Sequence, residues 1–304
     1  MNDLVTDVKS LELETLKNLK SSKALNTLRA YKADFRDFAL FCQQNALNSM
    51  PSEPKVITLY LTHLSKSSKF STLKRRLASI SVIHKLNGHY LDVKHPIITE
   101  NLLGIRRVKG SYQKAKKPIL INDLKLIIKA INEEKNSKQR LRNKSLLLIG
   151  FAGGFRRSEL VSIMHEDVDF VSEGVKIFVK RSKTDQSGEG MTKGIPYFSN
   201  PEFCPVKNLK KYIEQEQIKS GKIFDMTDKN VALIIKKYSS LAGLDQNKYS
   251  GHSLRSGFAT STAELGAEER SIMAMTGHKT TQMVRRYIKE ANLFKNNALN
   301  KIKL

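Results

Sequence analysis

Three short stretches of this 304-residue chain bring together residue types that could do chemistry, namely arginines, histidines and a tyrosine. The first is Gly153-Gly154-Phe155-Arg156-Arg157-Ser158-Glu159-Leu160, where an arginine pair directly after a Gly-Gly break puts a guanidinium beside a backbone gap. The plainer alternative is a helix start in which Arg156 and Glu159 pair one turn apart. The second is Gly251-His252-Ser253-Leu254-Arg255. Positions i and i+3 share a helix face, so an imidazole and a guanidinium project together, and the planar fork of arginine suits non-bridging phosphate oxygens. Taken alone, this spacing arises by chance in many proteins. The third is Thr276-Gly277-His278-Lys279-Thr280, followed nine residues after the histidine by Tyr287. Thr280 is placed to cap the helix that carries Tyr287. The structural alternatives are a turn histidine, and a core tyrosine in the stripe Met283, Val284, Tyr287, Ile288.

The elements that must position these groups fall into two parts. Residues 24–46 read as an amphipathic helix, with Leu28, Tyr31, Phe35 and Phe38 at helical spacing. A second helix runs from about Lys55 to Leu64, entered through Pro51 and Pro54. A third starts at Ser71 as N-cap and stops at Gly88, burying Leu73, Leu77, Ile80 and Ile83 or His84. A fourth apolar segment spans Ile97 to Ile105. Residues 110–118 show no hydrophobic period, follow Lys109, contain lysines at 114, 116 and 117, and close on Pro118, which predicts a linker. Beyond it Leu124, Ile127, Ile128 and Ile131 mark a helix, and Leu141 to Phe151 a more buried one. Val175, Ile177 and Val179 alternate with Lys176, Phe178 and Lys180, a strand period; extended structure resumes at Gly194-Ile195-Pro196-Tyr197, giving a β-hairpin with a long tip. Helices follow at about 205–217, 228–241, 253–265, 268–275 and 280–289. The expected fold class is mainly α with a small antiparallel β-sheet.

The order Arg … His-x-x-Arg … Gly-His … Tyr resembles the tyrosine recombinase (phage integrase) family. The matching stretches are 154–160 (GFRRSEL), 182–186 (SKTDQ), 251–260 (GHSLRSGFAT) and 276–288 (TGHKTTQMVRRYI), while 22–42 is similar to the family's helical core-binding domain. The likeness spans about residues 20–290, and within the family it points to Cre-like site-specific recombinases. It implies an all-helical core-binding domain over 1–110, a basic linker over 111–118 and an α+β catalytic domain over 119–304 ending in a tail helix, the two domains forming a C-shaped DNA clamp.

By the same resemblance Tyr287 is the nucleophile, and Arg156 and Arg255 hold the scissile phosphate. His252 takes the first histidine position, where it can accept the tyrosine proton, and His278 the second. Lys183 in the hairpin tip matches the family's lysine, the donor of a proton to the departing 5′-oxygen, with Lys180 and Arg181 close enough to compete for the assignment. Glu159 supports the site. Such chemistry draws its charge stabilisation from cationic side chains and keeps bond energy in a 3′-phosphotyrosine, so it needs neither ATP nor a metal. The implied reaction is site-specific strand exchange through a Holliday junction. The competing readings are a catalytically silent DNA-binding protein of the same fold, and a topoisomerase-like or telomere-resolving nicking–closing enzyme.

Composition agrees with a polyanionic partner: 53 Lys+Arg against 29 Asp+Glu gives a net charge of +24. The first 50 residues contribute 7 basic and 6 acidic groups, residues 51–110 contribute 11 and 3. Lys74, Arg75 and Arg76, Arg106 and Arg107, and Lys116 and Lys117 are therefore the expected DNA-contacting cations, with the face of 74–76 as the major-groove helix. The resemblance implies as partner double-stranded DNA with inverted repeats, bound by a homotetramer joined through residues 290–304, where Leu293, Phe294, Leu299 and Ile302 recur at near-helical spacing; the plainer alternative is a terminal helix folded onto its own domain. Two cysteines 162 positions apart, and histidines without HExxH spacing, predict no disulfide, no metal and no cofactor. The first residues, with Asn2, Asp3 and Asp7, lack a secretory apolar core, and no apolar run approaches the roughly 18 residues of a membrane span. A soluble, cytoplasmic, nucleoid-associated protein is expected.

Overall fold

The computed structural model describes residues 7–21, 24–110, 115–180, 189–291 and 298–302. It divides into two compact units, 1–114 and 115–304, with the division inside the stretch that carries no hydrophobic period.

The first unit is helical throughout its described residues: α1 (Val8–Ser21), α2 (Leu25–Gln44), α3 (Pro54–Ser65), α4 (Phe70–Leu86) and α5 (Pro96–Lys109). Proline stands in the first turn of α3 and of α5, where its missing N–H costs no hydrogen bond. Helix α2 packs on α4 and α3 on α5. Phe38, Ile57, Tyr60, Leu61, Leu73, Leu77, Ile80 and Ile98 make the core between them. His84, rather than Ile83, is the fully buried member of the pair expected on α4. Its Nδ1 donates to the Ile80 carbonyl (2.8 Å) and its Nε2 accepts the Ser52 N–H (3.1 Å), so it serves as a structural tie in its neutral form. One expectation needs correction: helix α4 begins at Phe70 with Lys69 as N-cap, so Ser71 lies in the first turn. Helix α1 is an addition that apolar spacing does not predict.

The second unit opens with α6 (Ile121–Asn132), α7 (Ser137–Ala152) and the one-turn α8 (Arg157–Leu160). Three strands follow, β1 (Val168–Val171), β2 (Gly174–Val179) and β3 (Met191–Pro196), then α9 (Pro205–Gln215), α10 (Asp228–Leu241), α11 (Ser253–Glu264), α12 (Glu269–Thr276) and α13 (Thr281–Ala291). The sheet is antiparallel in the order β1-β2-β3, one strand more than the expected hairpin, with Ile177 opposite Lys193 and Val175 opposite Ile195.

Helices α7 and α11 form the centre. Nearly every residue of α7 from Ser145 onward is buried, as is α11 from Ser253 to Ser261, and the two pack on each other. The segment leading into α6 lies against the start of α11, with the Ile119 N–H bonded to the Ser253 carbonyl at 2.9 Å. A Cβ at Gly257 would sit 1.9 Å from the Ile119 carbonyl oxygen, so this approach requires glycine. Of the expected tail helix, the described part is one 3-10 turn, Ala298–Lys301; residues 292–297, with Leu293 and Phe294, lie outside the described residues. Among the described residues, no helix is long and apolar enough to cross a membrane.

Candidate active site

The Gly-Gly break of the first motif ends α7 and turns the chain into α8. Gly154 has φ +55°, a left-handed conformation that lets its carbonyl face α11. Arg156 is the N-cap residue of α8. Its backbone N–H donates to Glu159 Oε2 (2.9 Å) and its Nη1 to Oε1 (2.5 Å). The structural alternative for this motif is thus present, and it serves to orient Arg156: Glu159 is 3% exposed and grips the arginine at both backbone and side chain.

Arg255, on the first turns of α11, is 1% exposed. Its Nη1 donates to the Gly154 carbonyl (2.9 Å), and its Nη2 is buried with no hydrogen-bond partner among the described residues. A buried guanidinium N–H without an acceptor costs on the order of 1–3 kcal/mol, which makes it the feature of the site that calls for an anion. Burial, then the charge of Arg156, lowers the Arg255 pKa to about 10, while Glu159 and Tyr287 work in the opposite direction.

His252 precedes α11 as its N-cap residue. Its Nε2 lies 3.2 Å from the Tyr287 hydroxyl. The residue keeps an exposed side, but lost hydration on its protein-facing side, followed by Arg255, Arg286, Arg156 and Arg157, lowers its pKa below the usual imidazole range. Tyr287, on α13, is 5% exposed and packs with Ala259, Ala263, Ile272 and Val284, with the Arg286 guanidinium 5.5 Å from its ring centre. The tyrosine is therefore both a stripe residue and a site residue: its ring belongs to a small apolar cluster and its hydroxyl reaches the histidine.

His278 follows the left-handed Gly277 (φ +61°), which closes α12 by donating to the Met273 carbonyl at 2.7 Å. The buried Thr276 hydroxyl donates to the Ile272 carbonyl (2.6 Å), so its 2.7 Å contact with His278 is donated by Nδ1. This leaves Nε2 to face a ligand. Burial, then Arg255, Arg156, His252 and Lys193, lowers the His278 pKa to about 4.

Arg156, Glu159, His252, Arg255, His278 and Tyr287 thus converge from four separate segments of the second unit. Lys183 and Arg181 lie outside the described residues. Lys180, at the end of β2, pairs with Asp167 at 2.8 Å.

The expected DNA-contacting cations are more varied. In the first unit Lys74 is exposed beside the Phe70 ring, whereas Arg75 and Arg76 both turn back to Asp34 on α2. Arg106 and Arg107 are exposed in the last turn of α5. In the second unit Lys116 donates to the Asn247 carbonyl (2.5 Å) and Lys117 pairs with Asp123 (3.0 Å), so these two cations of the predicted linker are engaged within that unit.

One residue of the site lies outside all the sequence motifs. Lys193, on β3, is 1% exposed, and its Nζ donates to the Gly153 carbonyl at 2.6 Å while lying 4.3 Å from the Phe155 ring centre. The signal was available: Lys193 is two residues before the inward-facing Ile195, so strand alternation turns it inward as well.

Comparison with known proteins places this arrangement. The model of the phage integrase family matches residues 119–293, more than half of the chain. An integrase/recombinase xerD homolog of Selenomonas ruminantium is 43% identical over 263 residues, covering 82% of this chain and 76% of that protein. Among solved structures, the fold is shared with XerH site-specific recombinase bound to a palindromic difH substrate (TM-score 0.63, 17% identity, 81% of this chain and 73% of that one). It is also shared with a lambda integrase dimer bound to a COC′ core site (TM-score 0.58, 17% identity, 97% and 99%). With the match covering the whole convergent set of side chains, the chain belongs to the phage integrase family.

Proposed function

We propose that the protein is a site-specific DNA recombinase that cleaves and rejoins strands through a 3′-phosphotyrosine at Tyr287. The observation that carries this reading is the tyrosine hydroxyl 3.2 Å from His252 beside a buried Arg255 N–H that lacks an acceptor among the described residues. A phosphodiester oxygen is the acceptor that completes the site.

The chemistry follows from these groups. A free tyrosine, with a pKa near 10, is protonated at neutral pH. His252 is held neutral there, so its Nε2 lone pair can take the phenolic proton as Tyr287 Oη attacks phosphorus. The Oη–P bond forms and the P–O5′ bond breaks. Negative charge grows on the non-bridging oxygens and is met by Arg156, oriented by Glu159, and by Arg255. His278 adds a donor: with Nδ1 committed to Thr276, its Nε2 carries a hydrogen only as imidazolium, a form that an adjoining phosphate favours. Lys183 is the proposed proton donor to the departing 5′-oxygen. Reversal by another strand's 5′-hydroxyl reseals the backbone, with the bond energy held meanwhile in the phosphotyrosine.

The finer features belong to the same proposal. The two units close on a duplex as a clamp, four copies assemble on inverted repeats through residues 290–304, and the protein works in the cytoplasm on the nucleoid. The exposed cations Lys74, Arg106 and Arg107 are the favoured phosphate contacts of the first unit, ahead of the paired Arg75 and Arg76. DNA-bound relatives of the same fold support a DNA partner.

The test is covalent trapping. Duplexes selected from a random-sequence library by binding to the protein are incubated with it and quenched in SDS. The wild type is expected to leave an SDS-resistant protein–DNA adduct, in EDTA as well as in Mg²⁺, and Tyr287→Phe to bind the same duplexes without one. Binding with no adduct from the wild type would overturn the enzymatic reading.

A further inference from the structure

Lys193 has no part in the mechanism above, yet it is buried at the foot of the site. Its ammonium nitrogen is bonded to the carbonyl of Gly153. The next residue, Gly154, gives its own carbonyl to Arg255, and two residues on stands Arg156. One side chain of β3 therefore grips the turn from which both phosphate-holding arginines are set. The Phe155 ring, 4.3 Å away, closes over the same lysine and holds the grip from the other side.

The charges around Lys193 are unbalanced. Arg156 and Glu159 face it from α8 and its N-cap, Arg255 from α11, and His278 from the turn after α12. Ile177, opposite on β2, carries no charge. Three cationic side chains thus share one carboxylate, and burial followed by the two arginines, partly offset by Glu159, lowers the Lys193 pKa to about 7.

We propose that Lys193 is a positioning residue: from β3 it fixes the 153–156 turn, and through it Arg156 and Arg255, in the geometry that holds the scissile phosphate. The inference rests on the recombinase reading of the site. A strut of this kind acts on the rate of the chemical step at full occupancy, since the cations proposed above to hold the duplex, Lys74, Arg106 and Arg107, belong to the other unit. It is distinct from the proton donor assigned to the hairpin tip.

Two variants and two readouts test this. Lys193→Met keeps length and removes the donor; Lys193→Gln restores an N–H for the Gly153 carbonyl without the charge. Adduct formation at saturating duplex is expected to slow about 10- to 100-fold in Lys193→Met, the scale of a small misplacement of reacting groups, with DNA affinity unchanged. Lys193→Gln is expected to recover most of the loss. The second readout uses free protein. Between about 7 and the ordinary lysine value of 10.5, the unfolded chain binds a proton that the folded chain does not, so wild-type stability rises with pH across this window. The melting temperature of Lys193→Met relative to wild type should therefore be most favourable near pH 7 and fall as pH approaches 10. Wild-type adduct rates in both variants, or a loss of rate matched by an equal loss of affinity, would overturn the proposal. A wild type that forms no adduct with any selected duplex would defeat the recombinase reading instead, and the melting series, which needs no DNA, would still report on the buried lysine.

Discussion

Two arginine pairs, one in each unit, show how the same chemistry is used to opposite ends. In the first unit Arg75 and Arg76 converge on Asp34, which is 3% exposed and also accepts a hydrogen bond from Ser79. Asp37 adds a second carboxylate 3.3 Å from Arg76. Two cations meet two anions, and although Arg76 Nε lacks a hydrogen-bond partner among the described residues, its Nη1 reaches Asp34 and Asp37 at once. In the second unit Arg156, Arg255 and Lys193 share Glu159, and the hydrogen bond of Arg255 goes to a neutral carbonyl. The first cluster is balanced in charge as it stands and ties α2 to α4. The second is complete only with an anion in it. A buried cation without its counter-charge is costly to the free protein, and this cost is what an enzyme converts into affinity for a charged transition state.

The comparison can be broken by exchanging the losses. Arg255→Met should reduce adduct formation by at least about 10²- to 10³-fold, the scale for removing one donor to a developing oxyanion, while leaving the melting temperature of the free protein equal or higher. Asp34→Ala should do the reverse, destabilising the protein by about 1–3 kcal/mol through stranded arginines while the rate of cleavage by the folded fraction is unchanged. Rate and melting measurements on both proteins decide the matter. If Arg255→Met unfolds the protein and Asp34→Ala stops cleavage, the two clusters do not differ as described.

A smaller effect sharpens the role of Glu159. Glu159→Gln keeps an acceptor for the Arg156 backbone and loses the charge on its guanidinium, and cleavage is expected to slow about 10²-fold or less with binding retained. Smaller still is the pH response of the free protein. His278 is held near 4 in the folded state against 6.5 ordinarily, so over that window the unfolded chain binds the additional proton and stability falls as pH drops from about 6.5. His84 and His252 shift in the same direction. The melting temperature should therefore decline on acidification, less steeply in His278→Phe, and a bound duplex should reduce the decline by favouring the imidazolium. Equal slopes in wild type and variant would contradict the assignment.

Much of this was legible in the sequence, for reasons that can be located. Helical spacing finds α2 to α7 and α9 to α13, mostly through an apolar face, although α11 is buried on all sides, and the His-x-x-Arg and Gly-His spacings survive because short-range geometry sets them. What was missed depended on tertiary placement. Strand β1 has four residues, all partly or fully exposed, too short for alternation to register. Helix α1 exposes Val8, Leu11 and Leu13, so its apolar residues mark no buried face. The spacing at 74–76 predicts one exposed cationic face, but Asp34, forty residues earlier, pairs with two of its members, drawing Arg76 inward while Arg75 stays exposed. Lys193 was hidden by its residue type, since a lysine is rarely expected at an inward strand position.

The central claim, that Tyr287 becomes esterified to DNA, is tested most directly by locating the bond. The SDS-resistant adduct is digested with nuclease and protease, and the modified peptide is sequenced by mass spectrometry. The account predicts nucleotide attached through phosphate to Tyr287, on the peptide that follows Arg286. Attachment to any other residue, Tyr249 or a serine for example, would contradict it.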